Sequence, residues 1–188
     1  MISKEEQHYI DNRPFGTFNA VYQHHWPAVK EEHVNHSAAE LWKENDLVVH
    51  GDLRLEINDG RLLRFYIPVP LDKKSDPLLD YQGPILCSIR ELDEPAQLKL
   101  DGNLSRGESQ HRYKKVEDFT FKYGFQDTGF HEYFFYSDKI KKGRWLLLPD
   151  KKGWKLVYAK DQKPYRGNQK IEYYKQEILN KELYVKSN

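Results

Sequence analysis

The sequence predicts a mainly β protein, a small closed or nearly closed β-barrel in one domain that spans residues 1–188. Eight short runs rich in aromatic and β-branched residues recur along the chain, and turn-forming residues separate them. Aromatic residues make up 14% of the chain, with 13 Tyr, and tyrosine suits half-buried strands. Many short strands joined by turns are typical of a small barrel or sandwich.

The predicted strands follow one another with recognisable turns between them. The stretch NDG at 58–60 is a hairpin signal, and KKG at 151–153 forms a second turn. Three prolines mark 70–84 as a loop, and the polar stretch 101–115 is predicted to be another, mobile loop. The predicted strands cover 15–26, 46–57, 61–69, 85–92, 118–125, 130–137, 143–149 and 154–160.

Two segments have the composition or spacing of helices. Residues 28–45 are rich in Ala, Glu and Lys, and SAAE at 37–40 fits a capping box. This pattern predicts a helix over about 37–45 within a helical insertion between two strands. Apolar side chains at helical spacing predict a C-terminal helix over 170–186.

Charge, cysteine content and hydropathy exclude several classes of protein. The chain has 30 Lys and Arg against 29 Asp and Glu, so its net charge neither requires nor excludes a nucleic-acid partner. Cys87 is the only cysteine, which excludes an internal disulfide and a cysteine-based zinc site. No apolar run approaches the roughly 20 residues of a membrane span, and no apolar signal region is present. We expect a soluble, cytoplasmic protein without a membrane partner.

The run from His50 to Arg54 places three polar side chains at alternate positions of a predicted strand, where they share one face. The imidazole of His50 and the carboxylate of Asp52 could bind one divalent metal, such as Mn²⁺ or Zn²⁺. Arg54 could then hold a phosphate oxygen. The alternative is a weak Asp–Arg ion pair on a solvated sheet face. A third metal ligand would be His24 or His25, which point to opposite faces of their strand.

Other histidines and a basic segment also suggest binding chemistry. His33 and His36 would share a helix face and bind zinc or meet solvent, but no carboxylate of matching spacing completes the set. His111 and His131 are predicted at the surface. Basic residues flank two tryptophans over 141–155, which fits nucleic-acid contact or a hairpin with buried tryptophans and an exposed charged face.

Three stretches together resemble one known family. They are VYQHHW at 21–26, HGDLRLEINDGRLLRFYIPVP at 50–70 and SDKIKKGRWLLLPDKKGWKLVYAKD at 137–161. In this order they resemble the 3′-phosphoesterase domain of LigD-type bacterial and archaeal DNA repair ligases, which also occurs as a stand-alone protein. The matched stretches and the residues between the first two cover about half of the chain.

The resemblance implies a metal site, a phosphate contact and a reaction. The metal would be Mn²⁺ or another divalent ion such as Zn²⁺, held by His50, Asp52 and one of the adjacent histidines, with His24 preferred over His25. Arg54 would contact the phosphate, so that Arg54, His50 and Asp52 carry the catalysis. The implied reaction removes a 3′-phosphate or a 3′-ribonucleotide from a DNA or RNA end during repair. A separate DNA ligase or polymerase could then use the 3′-hydroxyl.

The chain departs from the family pattern at the other phosphate contacts. The family has a His and a Tyr four residues apart, where this chain has Glu94 and Leu98, and a carboxylate repels a phosphate unless it binds metal or is protonated. About twenty extra residues precede the His50 strand. His111 or Tyr113 could replace the missing contacts. Two alternatives stay open: a catalytically degenerate relative that binds nucleic-acid ends or a repair partner, and a fortuitous likeness in which His50 to Arg54 form an ion-pair array.

Overall fold

The computed structural model of the protein describes residues 17–57, 60–70, 75–90, 92–127 and 129–165. Over these ranges the chain forms nine strands, one α-helix and two 3₁₀ helices. The strands are β1 (Thr17–Trp26), β2 (His50–Glu56), β3 (Leu62–Pro68), β4 (Ile85–Ile89), β5 (Gly102–Arg106), β6 (Ser109–Asp127), β7 (Phe130–Tyr136), β8 (Gly143–Asp150) and β9 (Gly153–Tyr158).

Eight of these strands close into an antiparallel barrel. Their order is β1-β2-β3-β4-β9-β8-β7-β6, and the pairing of β6 with β1 completes the ring. Strand β6 is 19 residues long and pairs in turn with β5, β1 and β7. Register shifts occur in its pairings with β1 and β7, and bulges of this kind let a long strand bend. Strand β5 pairs with β6 outside the ring. The predicted barrel is therefore confirmed.

The barrel interior is filled by apolar and aromatic side chains. Each of the eight ring strands contributes to one core cluster, and β5 does not. In β2 the core residues are Leu53 and Leu55, and in β3 they include Leu63 and Phe65. Because side chains alternate across a strand, the neighbouring positions of β2 and β3 face away from this core.

The 23 residues between β1 and β2 form a separate helical excursion. It contains a 3₁₀ turn at Glu31–His33 and the helix α1 at Ala38–Lys43. The capping box at Ser37 and Glu40 is confirmed, because each residue's side chain bonds the other's backbone N–H. The excursion buries a second, smaller apolar cluster, whose fully buried members are Trp26, Val29, Leu41, Leu47, Val49 and Val69.

One predicted loop is wrong. Residues 101–115 form β5 and the start of β6, joined by a turn at Gly107 with φ 61°. Strand β5 lies outside the ring, whereas residues 112–115 of β6 pair with β1. The side chains of residues 102–110 are mostly exposed, so they lack the apolar alternation that marks a half-buried strand. The strand predicted over 46–57 begins only at His50. The predicted helix over 170–186 lies outside the described residues. No helix in the described part of the chain is long and apolar enough to cross a membrane.

Candidate metal centre

The register of β1 and β2 brings the predicted ligands together on the side of the sheet opposite the barrel core. His25 lies directly across from His50, and Gln23 lies across from Asp52. Leu53 faces the core, so the alternate positions His50 and Asp52 project from the other face. Antiparallel pairing thus converts an alternating pattern in one strand into a cluster across two strands.

Three side chains of this face form a compact triangle, which we call the strand cluster: His25, His50 and Asp52. Nδ1 of His25 lies 3.0 Å from Nε2 of His50 and 3.4 Å from Oδ2 of Asp52. Nε2 of His50 lies 3.2 Å from Oδ1 of Asp52. Metal bonds of about 2.0–2.2 Å place neighbouring ligand atoms roughly 3.0–3.5 Å apart. Each of the three pairs therefore has the separation of neighbouring metal ligands, with the two contacts of Asp52 made by different carboxylate oxygens.

Two features of the strand cluster bear on whether its residues fit a cation. Oδ1 of Asp52 is buried without a hydrogen-bond partner, although buried carboxylate oxygens are normally bonded. Nδ1 of His25 and Nε2 of His50 face each other at 3.0 Å, a distance that suits either one hydrogen bond between them or two ligands of one cation. A divalent cation would accept electron pairs from all three groups, so the residues fit such an ion.

The protonation states suit a metal ligand set. Burial would raise the pKa of Asp52, but the close imidazoles of His25 and His50 and the charge of Arg54 outweigh it and hold the pKa well below its usual value. Burial lowers the pKa of His25 to about 4 against the opposing effect of Asp52. At neutral pH the carboxylate is therefore ionised and the His25 imidazole is neutral, which are the forms that bind metals.

Aromatic and imidazole rings hold the two histidines in place. Nε2 of His25 lies 2.8 Å from Nδ1 of His111. The ring of Tyr113 stacks on His25 with centroids 4.1 Å apart, and Tyr66 packs on His50 at 4.2 Å. Outer contacts of this kind fix the orientation of metal-binding histidines. His111 and Tyr113, expected as substitutes for missing phosphate contacts, thus lie beside the cluster, on β6.

Arg54 lies behind the strand cluster and does not face solvent. Its guanidinium donates to Gln23 Oε1, to Oδ2 of Asp52 at 3.3 Å and to Oδ2 of Asp93 at 2.8 Å. The residue is 1% exposed. The expected Asp–Arg ion pair does exist, but it is buried rather than solvated. In this conformation Arg54 orients the carboxylate of Asp52 and has no free edge for a phosphate.

Three other arginines flank the strand cluster, and Nη1 of Arg64 lies 3.9 Å from Oδ2 of Asp52. The guanidinium of Arg106 lies 5.7 Å from the ring centroid of Tyr113, and that of Arg90 lies 4.7 Å from the ring centroid of Tyr66. Each of these tyrosines packs against a histidine of the cluster. No feature of the linear sequence indicated Arg106, because it lies in the stretch predicted to be a loop.

His24 does not join the cluster, which corrects the preference for His24 over His25. Its Nε2 lies 2.6 Å from Oδ2 of Asp76, and Tyr22 donates to the same oxygen at 2.7 Å. The reason is the alternation of β1, which sends adjacent side chains to opposite faces. Which of two adjacent histidines faces a site cannot be predicted until the register with the partner strand is known.

The residues at the two departures from the family pattern lie near the 3₁₀ helix Pro95–Lys99. Glu94 is the exposed N-cap of this helix, and Leu98 is half-buried within it. The backbone carbonyls of Gln97 and Leu100 accept hydrogen bonds from Gln23 Nε2 at 3.0 and 2.9 Å. The helix therefore covers Gln23, beside Arg54, and does not present a histidine and a tyrosine to the strand cluster.

Three further expectations are corrected or narrowed. Trp145 and Trp154 are 0% and 1% exposed, which supports the hairpin interpretation of 141–155, because buried rings cannot stack on bases. His131 is fully buried rather than at the surface. His33 and His36, expected to lack a carboxylate, have Glu44 beside them.

The proteins available for comparison add no constraint on the site. Neither a protein-family model nor a curated relative matches the chain. The residues of the strand cluster and the motif resemblance are therefore what indicate its function.

Proposed function

We propose that the protein is a metal-dependent phosphoesterase that processes 3′-phosphate or 3′-ribonucleotide ends of DNA or RNA. The observation that carries the proposal is the buried triangle of His25, His50 and Asp52, with edges of 3.0 to 3.4 Å. The H-x-D-x-R resemblance supplies the reaction class. The donor set of two imidazoles and a carboxylate fits Mn²⁺ or Zn²⁺.

In this proposal each group of residues has a separate task. The strand cluster holds the cation, which when bound would polarise a phosphoryl oxygen. Arg54 fixes the carboxylate of Asp52, and His111 fixes the ring of His25. Arg106, exposed above Tyr113, replaces Arg54 as the residue that meets the phosphate charge, because a guanidinium can bind two phosphate oxygens at once.

The proposed partners follow from the reaction. The substrate is a nucleic-acid 3′ end, and the product is a 3′-hydroxyl that a separate ligase or polymerase can use. A cytoplasmic location agrees with this role and stays a prediction.

The test is release of phosphate from 3′-phosphorylated DNA in the presence of Mn²⁺. We expect release by the wild type and by Asp118→Asn, which removes an exposed carboxylate paired with Lys115. We expect no release by Asp52→Asn. A folded, Mn²⁺-loaded wild type that hydrolyses neither 3′-phosphate nor 3′-ribonucleotide ends would contradict the proposal.

The protein could instead bind nucleic-acid ends without catalysis. Two observations favour this second function: Arg54 is buried, and Glu94 and Leu98 stand where the family has a histidine and a tyrosine. It predicts that 3′-phosphate ends bind more tightly than 3′-hydroxyl ends and are not turned over. The two functions are separated by measuring binding and release on the same metal-loaded sample.

A further inference from the structure

We propose that the protein has a second metal site, formed by His33, His36 and Glu44 in the excursion between β1 and β2, and that it takes a transition-metal cation of the Zn²⁺ type. We call these three residues the excursion cluster. The proposal does not depend on the proposed function, because none of the three residues belongs to the strand cluster.

The excursion brings the three donors together from separate local elements. His33 ends the 3₁₀ turn, His36 immediately precedes the capping residue of α1, and Glu44 is the C-cap residue of α1. One nitrogen of each imidazole and one carboxylate oxygen of Glu44 lie within 4.8 Å of one another. Nε2 of His33 is 4.0 Å from Oε2 of Glu44. Rotation of the half-exposed Glu44 side chain can bring these atoms to the roughly 3.0–3.5 Å separation found around a bound metal.

The histidines carry ring nitrogens that no hydrogen bond satisfies. Nδ1 of His33 and Nδ1 of His36 are both buried without a partner, and His33 as a residue is only 9% exposed. The two rings lie 4.9 Å apart by their centroids. The two buried Nδ1 atoms are therefore uncompensated polar groups, whereas Nε2 of His33 faces the Glu44 carboxylate. A cation at the cluster would use one nitrogen of each ring.

The backbone of the excursion cluster is anchored independently of these side chains. Arg112 of β6 donates to the carbonyl of His36 at 2.7 Å and to that of Val34 at 2.8 Å. Val29 donates its N–H to the carbonyl of Gln110 at 2.8 Å. The ligand backbone is thus tied to the hairpin of β5 and β6.

The charge and donor types select the class of ion. The carboxylates of Glu44 and Glu32 each lie 4.0 Å from Nε2 of His33, so negative charge lies beside the His33 imidazole. Imidazole nitrogen favours Zn²⁺, Cu²⁺ or Ni²⁺ over Mg²⁺ and Ca²⁺, which prefer oxygen ligands. Three protein ligands, with Glu32 or water as a fourth, complete the tetrahedral set that Zn²⁺ takes.

Such a site would join the two strand ends of the proposed catalytic centre. His25 lies one residue before the end of β1, and His50 is the first residue of β2. The excursion cluster lies between these two residues in the sequence, so a cation bound there would cross-link the connection and make it stiffer. Because the cation binds only the folded state, it would raise the free energy of unfolding by an amount set by its concentration and affinity.

The experiment is a calorimetric titration of the full chain, first stripped with a chelator, with Zn²⁺ alone. We expect two equivalents for the wild type and one for His36→Gln and for Glu44→Gln. Loss of a ligand should weaken the second site by roughly 100-fold or more, since even outer-shell changes cost about 10–100-fold. The matched control Glu31→Gln removes an exposed carboxylate of the same excursion and should keep two equivalents.

The outcomes separate this proposal from the proposed function. Asp52→Asn should lose the other equivalent and keep the one that His36→Gln loses. Because His36 and Glu44 are not fully buried, their variants should melt at the wild-type temperature in chelator, and only the wild type and Glu31→Gln should gain the full Zn²⁺ stabilisation. A stoichiometry and Zn²⁺ stabilisation unchanged by His36→Gln and Glu44→Gln would overturn the second site and leave the strand cluster untouched.

Discussion

The strand cluster and the excursion cluster contain the same side chains, two histidines and one carboxylate, but the fold holds them differently. In the strand cluster the pairing of β1 with β2 sets the distances, which are 3.0 to 3.4 Å, and all three residues are buried. In the excursion cluster only His33 is buried, and its nitrogen is 4.0 Å from Glu44. Strand register preorganises the first cluster, whereas the second would tighten only when a cation binds.

This difference predicts that changes in the strand cluster affect the metal-free fold and that changes at His36 and Glu44, the two excursion-cluster residues that are not buried, do not. Asp52 is fully buried and bonded to Arg54, so its loss disturbs the protein with or without metal. Glu44 is partly exposed, and its loss should matter only when a cation is present.

Asp52→Asn should lower the free energy of unfolding in chelator by about 3 kcal/mol, because the buried guanidinium of Arg54 loses one of its two carboxylate partners and keeps only Asp93. Glu44→Gln should change it by less than about 0.5 kcal/mol, as is usual for a surface substitution. Urea unfolding followed by tryptophan fluorescence measures both. Equal effects of the two substitutions would remove the distinction between the clusters.

The stability of the metal-free protein should fall as the pH drops from about 6.5 to about 4. Burial lowers the pKa of His25 to about 4, so the unfolded chain binds a proton before the folded chain does, and the loss reaches up to about 3 kcal/mol. The pKa of Asp52 is also depressed, but its contribution is lost only below about pH 4.

The adjacent histidines supply a matched pair of variants for this pH dependence. Urea unfolding at several pH values should show a weaker slope between pH 4 and 6.5 for His25→Gln than for His24→Gln. An equal slope in both variants would mean that burial of His25 is not the main source of the pH dependence of stability.

Gly51→Ala should destabilise the protein by about 1–3 kcal/mol through overpacking. A Cβ at this position would lie 2.6 Å from Cε2 of Tyr22, whose ring crosses the strand to reach Asp76. Thermal unfolding in chelator measures the effect. The control Gly83→Ala is not neutral, because Gly83 has a φ of 156°, but no atom lies within 4 Å of its Cβ. A larger loss at Gly83 would argue against the close approach of Tyr22.

Ser37→Ala should cost about 1 kcal/mol, because the hydroxyl caps α1 and satisfies the backbone N–H of Glu40. Chemical unfolding in chelator measures it. Ser37→Asp, which keeps the capping oxygen, should restore most of the loss. A full loss in both variants would show that the helix start depends on something other than the cap.

The barrel could be predicted from the sequence because its strands alternate apolar and polar residues or end at turn signals. The prediction failed at 101–115, where β5 lies outside the ring and the exposed turn of the β5–β6 hairpin has no apolar face to reveal it. The capping box at Ser37 was visible because it depends on two residues three apart. Local patterns were therefore readable, and contacts that depend on distant strands were not.

The candidate site could be predicted in part for the same reason. His50 and Asp52 share a face by alternation within one strand, which the sequence reveals. The choice of His25 over His24 depends on the register with β2, and His111 and Tyr113 enter only through the pairing of β6 with β1. The buried environment of Arg54 depends on Asp93, which is 39 residues away in sequence. No local sequence pattern could therefore predict that Arg54 is buried.

The measurement that tests the central claim most directly is calorimetric Mn²⁺ binding by His24→Gln and His25→Gln at neutral pH. The two histidines are neighbours in sequence but lie on opposite faces of β1, one against Asp76 and the other in the strand cluster. We expect His24→Gln to bind Mn²⁺ as the wild type does and His25→Gln to lose binding at the strand cluster. Normal binding by His25→Gln, or loss of binding only in His24→Gln, would contradict a metal centre built from His25, His50 and Asp52.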